Sequence, residues 1–209
     1  MTQVGVVPIR YVALGDSYTI GTATGGPEER WPDQLVARLA AQRPTPDLDL
    51  VANLGVNGFR SRDVIDTELP ELAALRPEFA TLLVGVNDVV QGVPEAAYER
   101  NAAQILDALL EWLPAARIVT VATPDYTVTP QGAAYGDPTV QAAGIRRNNE
   151  ILRDLAAARG IAFVDIHDIS LRAADDRSLV AVDGLHPSGA QYALWVDRIA
   201  PVVAELLRP

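Results

Sequence analysis

Five short apolar segments alternate with longer segments of helical periodicity, and this alternation constrains the fold more than any other feature of the chain. The apolar segments are residues 11–14, 48–53, 79–86, 118–122 and 161–166. Apolar side chains at consecutive positions indicate strands that are covered on both faces. Strands that are each followed by a helix predict a parallel sheet with helices on both sides. We therefore expect a three-layer α/β/α architecture.

The segments between the strands carry the helical patterns. Helices are predicted over residues 31–40, 63–75, 94–113, 140–159 and 189–207. Pro70 indicates a break in the second of them. The chain has no internal repeat or linker, so we expect one domain over residues 1–209. We expect a five-stranded, flavodoxin-like sheet with the strand order 2-1-3-4-5, whose ligand crevice lies where the order reverses, between strands one and three.

The acidic composition and two missing residue types exclude several classes of function. The 209 residues carry a net charge of −10, which disfavours nucleic acid and anionic lipid headgroups as partners. All 17 basic residues are arginine, which excludes a Schiff-base lysine, a P-loop lysine and a Ser-Lys dyad. The lack of cysteine excludes disulfides, thiolate metal sites and a thiol nucleophile.

The sequence shows no pattern of export or membrane insertion. Pro8 and Arg10 interrupt the apolar stretch of residues 1–14, so we expect no signal peptide. No apolar run approaches the ~20 residues that span a bilayer. We expect a cytoplasmic protein without stable membrane insertion, and the sequence leaves its oligomeric state open.

Four short motifs follow predicted strands. Residues 15–18 read Gly-Asp-Ser-Tyr after strand one, residues 53–58 read Asn-Leu-Gly-Val-Asn-Gly at the end of strand two, residues 85–88 read Gly-Val-Asn-Asp at the end of strand three, and residues 183–187 read Asp-Gly-Leu-His-Pro after strand five. They supply a hydroxyl, an imidazole, a carboxylate and an amide donor, which are the parts of a serine hydrolase. Because the carboxyl ends of parallel strands meet at one edge of a sheet, we expect the motifs to converge.

With these four motifs in this order, the chain resembles the SGNH hydrolases, also called the GDSL family of esterases and lipases. The resemblance covers nearly the whole sequence, with Tyr18 where leucine is commonest in the first motif. It implies that Ser17 is the nucleophile. It also implies that His186 is the base, and later the acid that protonates the leaving alcohol, and that Asp183 holds the imidazole.

The resemblance further implies an oxyanion hole. Its donors would be the backbone N–H groups of Ser17 and Gly58 and the side-chain amide of Asn87. Glycine lets a backbone approach a substrate closely, and an asparagine amide donates a hydrogen bond without carrying charge.

Aromatic residues near the motifs are candidates for substrate binding. They are Tyr18, Tyr126 and Tyr135. The last two lie in residues 124–138, the longest segment without periodicity. Loops of this length in a compact domain are commonly functional, so we expect substrate choice to be decided there.

For three further polar residues in or near the motifs we expect structural roles rather than catalytic ones. We expect Asp16 and Asp88 to stabilise turns by accepting backbone N–H groups. His167 lies among carboxylates at the end of strand five, and we expect a structural or exposed histidine rather than a metal ligand.

The predicted function is hydrolysis of a carboxylic ester with a small or lipid-like acyl group through an acyl-enzyme, without a metal or a cofactor. The sequence leaves open an acyltransferase or thioesterase that uses the same site, and a small-ligand-binding protein without turnover. A metal-dependent phosphoesterase is disfavoured, because two-metal sites need several histidines and this chain has two. The sequence does not identify the natural ester or the length of its acyl chain.

Overall fold

Five parallel strands form one sheet in the order β2-β1-β3-β4-β5, which confirms the predicted topology. The computed structural model describes residues 8–42 and 47–208. Residues 1–7, part of the segment in which we expect no signal peptide, lie outside the described residues. The strands are β1 Ile9–Gly15, β2 Leu48–Asn53, β3 Phe79–Leu83, β4 Ile118–Val121 and β5 Ala162–Val164.

Helices fill the connections between the strands. The α-helices are α1 Ser17–Ile20, α2 Trp31–Ala40, α3 Ser61–Asp63, α4 Leu72–Leu75, α5 Val86–Val90, α6 Glu95–Trp112, α7 Pro138–Ala158, α8 His167–Leu171 and α9 Gly189–Leu206. Short 3₁₀ turns cover Pro27–Glu29, Leu69–Glu71, Ala115–Arg117, Gly132–Tyr135, Arg172–Ala174 and Arg177–Leu179, and a π-helical segment covers Val64–Glu68. The predicted helix over residues 63–75 is therefore interrupted around Pro70, because proline cannot donate to the helical ladder. Within residues 8–42 and 47–208, no helix is long and apolar enough to cross a membrane.

The third strand is shorter than the sequence predicts. It ends at Leu83 rather than at residue 86, and Val86 opens α5. The backbone of Gly85 has a φ of +138°, which extended strands do not adopt. The apolar run therefore continues through a change of direction, and this turn brings Asn87 over the end of the sheet.

Side chains of the sheet are buried on both faces. Along β1, Tyr11 and Ala13 join one apolar cluster, while Val12 and Leu14 join the other. Helices α2 and α9 cover the first face, and α6 covers the second. In α9 the four-residue spacing that begins at Trp195 continues through Ile199 to Val203, and all three side chains are buried.

The register of the central strands positions the site. Gly15, the last residue of β1, pairs with Leu83, the last residue of β3. The order of the strands reverses at this pair, since β1 leads outward to β2 and β3 leads outward to β4 and β5. The segments that follow β1 and β3 therefore open a crevice between them.

Candidate active site

A cleft of about 240 Å³ opens at the carboxyl ends of β1 and β3. Seven of the eight residues that the sequence predicts for catalysis, the oxyanion hole and substrate binding line this cleft, and the eighth, Asp183, is hydrogen-bonded to one of them. The lining residues are Ser17, Tyr18, Asn57, Gly58, Val86, Asn87, Val90, Tyr126, Tyr135, Leu185 and His186. Four motifs that are far apart in the sequence thus meet at one edge of the sheet.

Ser17 is the first residue of α1 and lies directly beyond the end of β1. Gly15 makes the turn possible, since a Cβ at this position would come within 2.1 Å of the Leu83 carbonyl oxygen. Asp16 caps the helix by accepting a bond of 3.0 Å from the Tyr18 N–H. Within the described part of the chain, no group accepts a hydrogen bond from the Ser17 N–H. This N–H group remains available to a ligand, as the first N–H groups of a helix commonly are.

A buried carboxyl, which the sequence analysis missed, holds the backbone before the nucleophile turn. Glu68 accepts a hydrogen bond of 2.9 Å from the Gly15 N–H and is only 2% exposed. Burial raises the pKa of Glu68 to about 9 and that of Asp16 to about 8, which favours the protonated form of both carboxyls. The sequence did contain a signal, because Glu68 lies at four-residue spacing between Val64 and Leu72, on an otherwise buried face.

The segment after β2 packs closely against α1. Asn53 donates a hydrogen bond of 2.8 Å to the carbonyl oxygen of Thr19. Gly55 lies so near α1 that a Cβ would meet the Asp16 carbonyl oxygen at 2.7 Å. These contacts bring Gly58, whose φ is +80°, to the wall of the cleft.

Asn87 comes from α5, the helix that follows β3. Its amide nitrogen donates to the carbonyl oxygen of Phe59 at 2.9 Å, so it contacts the segment that carries Gly58. Asp88 accepts bonds from both the N–H (2.8 Å) and the hydroxyl (2.5 Å) of Ser61. The prediction that Asp16 caps its own turn is confirmed, whereas Asp88 binds a different segment. Periodicity cannot reveal such a contact between distant residues.

Asp183 and His186 lie in a short loop between the 3₁₀ turn Arg177–Leu179 and α9. The loop is closed by a bridge between Val180 and Pro187 and by a bond of 2.7 Å from the Ala181 N–H to the His186 carbonyl oxygen. Asp183 Oδ2 lies 2.6 Å from His186 Nδ1. Its other oxygen accepts the backbone N–H groups of Leu185 (2.9 Å) and His186 (3.0 Å).

The hydrogen bonds to Asp183 outweigh the effect of its partial burial. Burial alone would raise the pKa of this carboxyl, but the bond from the His186 ring and the two backbone bonds lower it below its usual value. The carboxylate is therefore ionised at neutral pH and fixes the proton of the neutral imidazole on Nδ1. Nε2 of His186 is left as an acceptor, and no described residue bonds to it.

Three tyrosines form part of the cleft wall. Tyr18 is buried and presents its ring edge to His186, with the ring centres 5.7 Å apart. Tyr126 is also buried and donates a bond of 3.0 Å to Gln141 Oε1. Tyr135 is 45% exposed and packs edge-on against Tyr126, with the ring centres 5.9 Å apart. The segment of residues 124–138 therefore contributes one fixed and one exposed aromatic ring.

His167 does not line the cleft. Its Nε2 lies 3.6 Å from Asp125 Oδ2, and its side chain is largely buried at the end of β5. In the described ranges, no three His, Cys, Asp or Glu side chains are grouped as the ligands of a metal ion.

Comparisons with known proteins identify the family of the chain. The model of the GDSL-like lipase/acylhydrolase family matches residues 13–194. A GDSL lipase of Mycobacterium tuberculosis is 27% identical over 201 residues, which cover 91% of this chain and 80% of that protein.

Solved structures show the same fold at low sequence identity. An acetylxylan esterase from Geobacillus stearothermophilus superposes with a TM-score of 0.73 at 17% identity, over 96% of each chain. TesA superposes with a TM-score of 0.71 at 19% identity, over 95% of this chain and 99% of that one. These likenesses concern the fold, whereas the family match extends over most of the sequence. The chain therefore belongs to the GDSL-like lipase/acylhydrolase family, a family of carboxylic ester hydrolases, as its motifs predict.

Proposed function

We propose that this chain hydrolyses a carboxylic ester with an uncharged acyl group through an acyl-enzyme intermediate on Ser17. The observation that carries the proposal is the single cleft shared by Ser17, Gly58, Asn87 and His186, with Asp183 bonded to the far side of the imidazole. A nucleophile, a base, an orienting carboxylate and amide donors in one cleft support acyl transfer.

In the proposed reaction, His186 Nε2 takes the proton of Ser17 Oγ while this oxygen attacks the carbonyl carbon of the ester. The imidazolium that forms is stabilised by Asp183, which is already ionised. The same nitrogen then gives the proton to the leaving alcohol as the bond from carbon to the alcohol oxygen breaks. Water, activated by the same base, releases the acyl group from Ser17 in the second half of the reaction.

The charge that develops on the carbonyl oxygen would be stabilised by three donors. They are the N–H of Ser17, the N–H of Gly58 and the second amide hydrogen of Asn87. An asparagine amide has two hydrogens, and the bond to Phe59 occupies one of them. Preorganised donors of this kind commonly supply a large part of the rate enhancement in acyl transfer.

The walls of the cleft favour an uncharged acyl group. Val86, Val90 and Leu185 provide aliphatic surface, and two tyrosine rings of residues 124–138 provide aromatic surface. No arginine is among the lining residues, so nothing in the cleft neutralises a charged acyl chain. The names of two similar proteins, a GDSL lipase and an acetylxylan esterase, support an ester substrate.

The test is hydrolysis of p-nitrophenyl esters from acetyl to palmitoyl, with a chelator present, by the wild type and by Ser17→Ala. We expect turnover in the wild type and a loss of at least 10³-fold in the variant, because the nucleophile is removed. A matched Ser178→Ala variant, in an exposed turn outside the cleft, should keep its activity. Undiminished hydrolysis by Ser17→Ala would refute the proposal.

A second measurement distinguishes water from other acceptors of the acyl group. With an added alcohol, a hydrolase releases mainly the free acid, whereas an acyltransferase releases mainly the new ester. An organophosphonate that labels the wild type but not Ser17→Ala would identify the nucleophile even if the esters tested were poor substrates.

A further inference from the structure

The Gly58 N–H belongs to the central peptide of a four-residue turn, Val56 to Phe59. The Phe59 N–H bonds to the Val56 carbonyl oxygen at 3.2 Å and closes the turn. Gly58, the third residue, has a φ of +80°. Asn57, the second residue, is not among the described non-glycine residues with positive φ, which are Ala23 and Arg76. Negative φ followed by positive φ identifies a type II turn.

The type of this turn decides where the Gly58 N–H points. Type I and type II turns differ by a rotation of roughly 180° of the central peptide, here the peptide that joins Asn57 to Gly58. In one type the N–H points to one side of the turn, and in the other type it points to the opposite side. An oxyanion donor at Gly58 therefore depends on keeping the type II form against a competing turn of similar energy.

Two side chains from the region of α5 hold this turn. Asn87 donates to the carbonyl oxygen of Phe59, and Gln91 Nε2 donates to the carbonyl oxygen of Gly58 at 3.0 Å. Gln91 is one helical turn beyond Asn87, and its own N–H bonds to the Asn87 carbonyl oxygen at 2.9 Å. The third and fourth residues of the turn are thus both bonded to the helix that carries Asn87.

We propose that Gln91 is a positioning residue of the oxyanion hole, a proposal that rests on the function proposed above. Gln91 does not line the cleft and touches no reacting atom. Its bond holds the Gly58 carbonyl group, which belongs to the peptide after the donor N–H. By fixing the position of Gly58 relative to Asn87, it sets the separation between two of the three donors. The Gln91 residue is exposed, so its substitution removes this bond without opening the core.

The test compares three variants with the wild type. Gln91→Glu keeps the shape of the side chain but removes the donor, and Gln91→Lys restores a donor to the same carbonyl oxygen. Gln104→Glu adds the same charge at an exposed position of α6 and is the matched control. We expect Gln91→Glu to lower kcat about tenfold with little change in KM, since a misplaced donor costs less than the 10²–10³-fold of a lost one. Gln91→Lys should recover most of the rate.

An ester and its thionoester, in which sulfur replaces the carbonyl oxygen, provide the decisive readout. Sulfur is larger and a weaker acceptor, so the thionoester gains little from the oxyanion hole. We expect Gln91→Glu to lower the ratio of ester to thionoester turnover about tenfold. A general structural defect would slow both substrates equally and leave this ratio unchanged.

The outcomes separate the two proposals. Wild-type turnover that is lost in Ser17→Ala establishes the proposed function first. A normal kcat in Gln91→Glu, or an equal loss for both substrates, would then overturn the inference about Gln91 alone. A wild type without Ser17-dependent turnover would overturn both.

Discussion

The side-chain amide of Asn87 donates to the carbonyl oxygen of Phe59 at 2.9 Å, and this bond is one of those that join the segments following β2 and β3. The same amide is a proposed donor to the oxyanion. In the proposed mechanism Asn87 therefore both stabilises the cleft wall and binds the oxyanion.

Because the Asn87 amide donates to the Phe59 carbonyl oxygen and is proposed to donate to the oxyanion, we expect Asn87→Asp to lower kcat strongly. The carboxylate has nearly the same shape but no donor, and it would repel both the Phe59 carbonyl oxygen and the developing oxyanion. We expect kcat to fall by about 10²–10³-fold, with KM changed much less. Steady-state kinetics on a p-nitrophenyl ester would measure this, with melting temperatures to show that the variant is folded. A loss of less than tenfold would mean that Asn87 is not an oxyanion donor.

Asp183→Asn should remove the control of the imidazole proton. The carboxylate, whose pKa is lowered mainly by the bond from His186, accepts the Nδ1–H across the neutral range. An asparagine amide can place a donor there instead and favour the wrong tautomer. We expect kcat to fall by roughly 10³–10⁴-fold. Asp176→Asn, an exposed cap of a neighbouring turn, is the matched control and should leave kcat unchanged. Equal activity of the two variants would contradict the proposed part of Asp183.

The buried carboxyl of Glu68 predicts a specific dependence of stability on pH. Below about pH 4.5, Glu68 is protonated in the folded and in the unfolded chain. Above this pH the unfolded chain releases the proton, while the folded chain holds it up to about pH 9, so the free energy of unfolding decreases through this window. Asp16 acts in the same direction up to about pH 8.

Glu68→Gln removes one titrating group while retaining an oxygen that accepts the Gly15 N–H. We expect the melting temperature of the variant to rise relative to that of the wild type as the pH increases from 5 to 9. The exposed Glu71→Gln variant is the control and should follow the wild type. A constant difference between the melting curves of Glu68→Gln and the wild type at all pH values would show that Glu68 titrates normally.

We expect substitution of Tyr135 to change the preference of the enzyme for acyl chain length. It lines the cleft but is 45% exposed, so its removal should have little effect on folding. In Tyr135→Ala we expect kcat/KM for long acyl esters to fall about tenfold, while the acetyl ester is little affected, because only longer chains reach this ring. Val140→Ala, exposed on α7 and outside the cleft, is the control. An unchanged acyl-length profile would place the substrate contacts outside this segment.

Apolar periodicity was sufficient to predict the parallel sheet, because each strand is a short apolar run and each connection contains a helix, whereas the strand order was taken from the flavodoxin-like fold. The edge at which the motifs meet follows from that order. The end of β3 was predicted wrongly, since Val84 and Val86 are apolar and buried although the strand already ends at Leu83. A run of apolar residues predicts which side chains are buried, but it does not show where the backbone changes direction.

The hydrogen bonds that hold the segments of the site together could not be predicted from the sequence. Glu68 and Gly15 are far apart in the chain, and only the π-helical segment that ends at Glu68 brings its carboxyl to that N–H. Gln91 is a single exposed polar residue with no pattern around it. Both act through one hydrogen bond to the backbone of a distant segment, which neither composition nor spacing records.

The loop that carries Asp183 and His186 is closed by the Val180–Pro187 bridge and is followed at once by α9. All five strands, and the segments with Ser17, Gly58 and Asn87, precede this loop in the chain. As the polypeptide leaves the ribosome, the sheet and the oxyanion donors can therefore be in place while the base is still unsynthesised. In the proposed mechanism such a nascent chain is inert, and hydrolysis begins only after this loop has been synthesised and has closed beside the cleft.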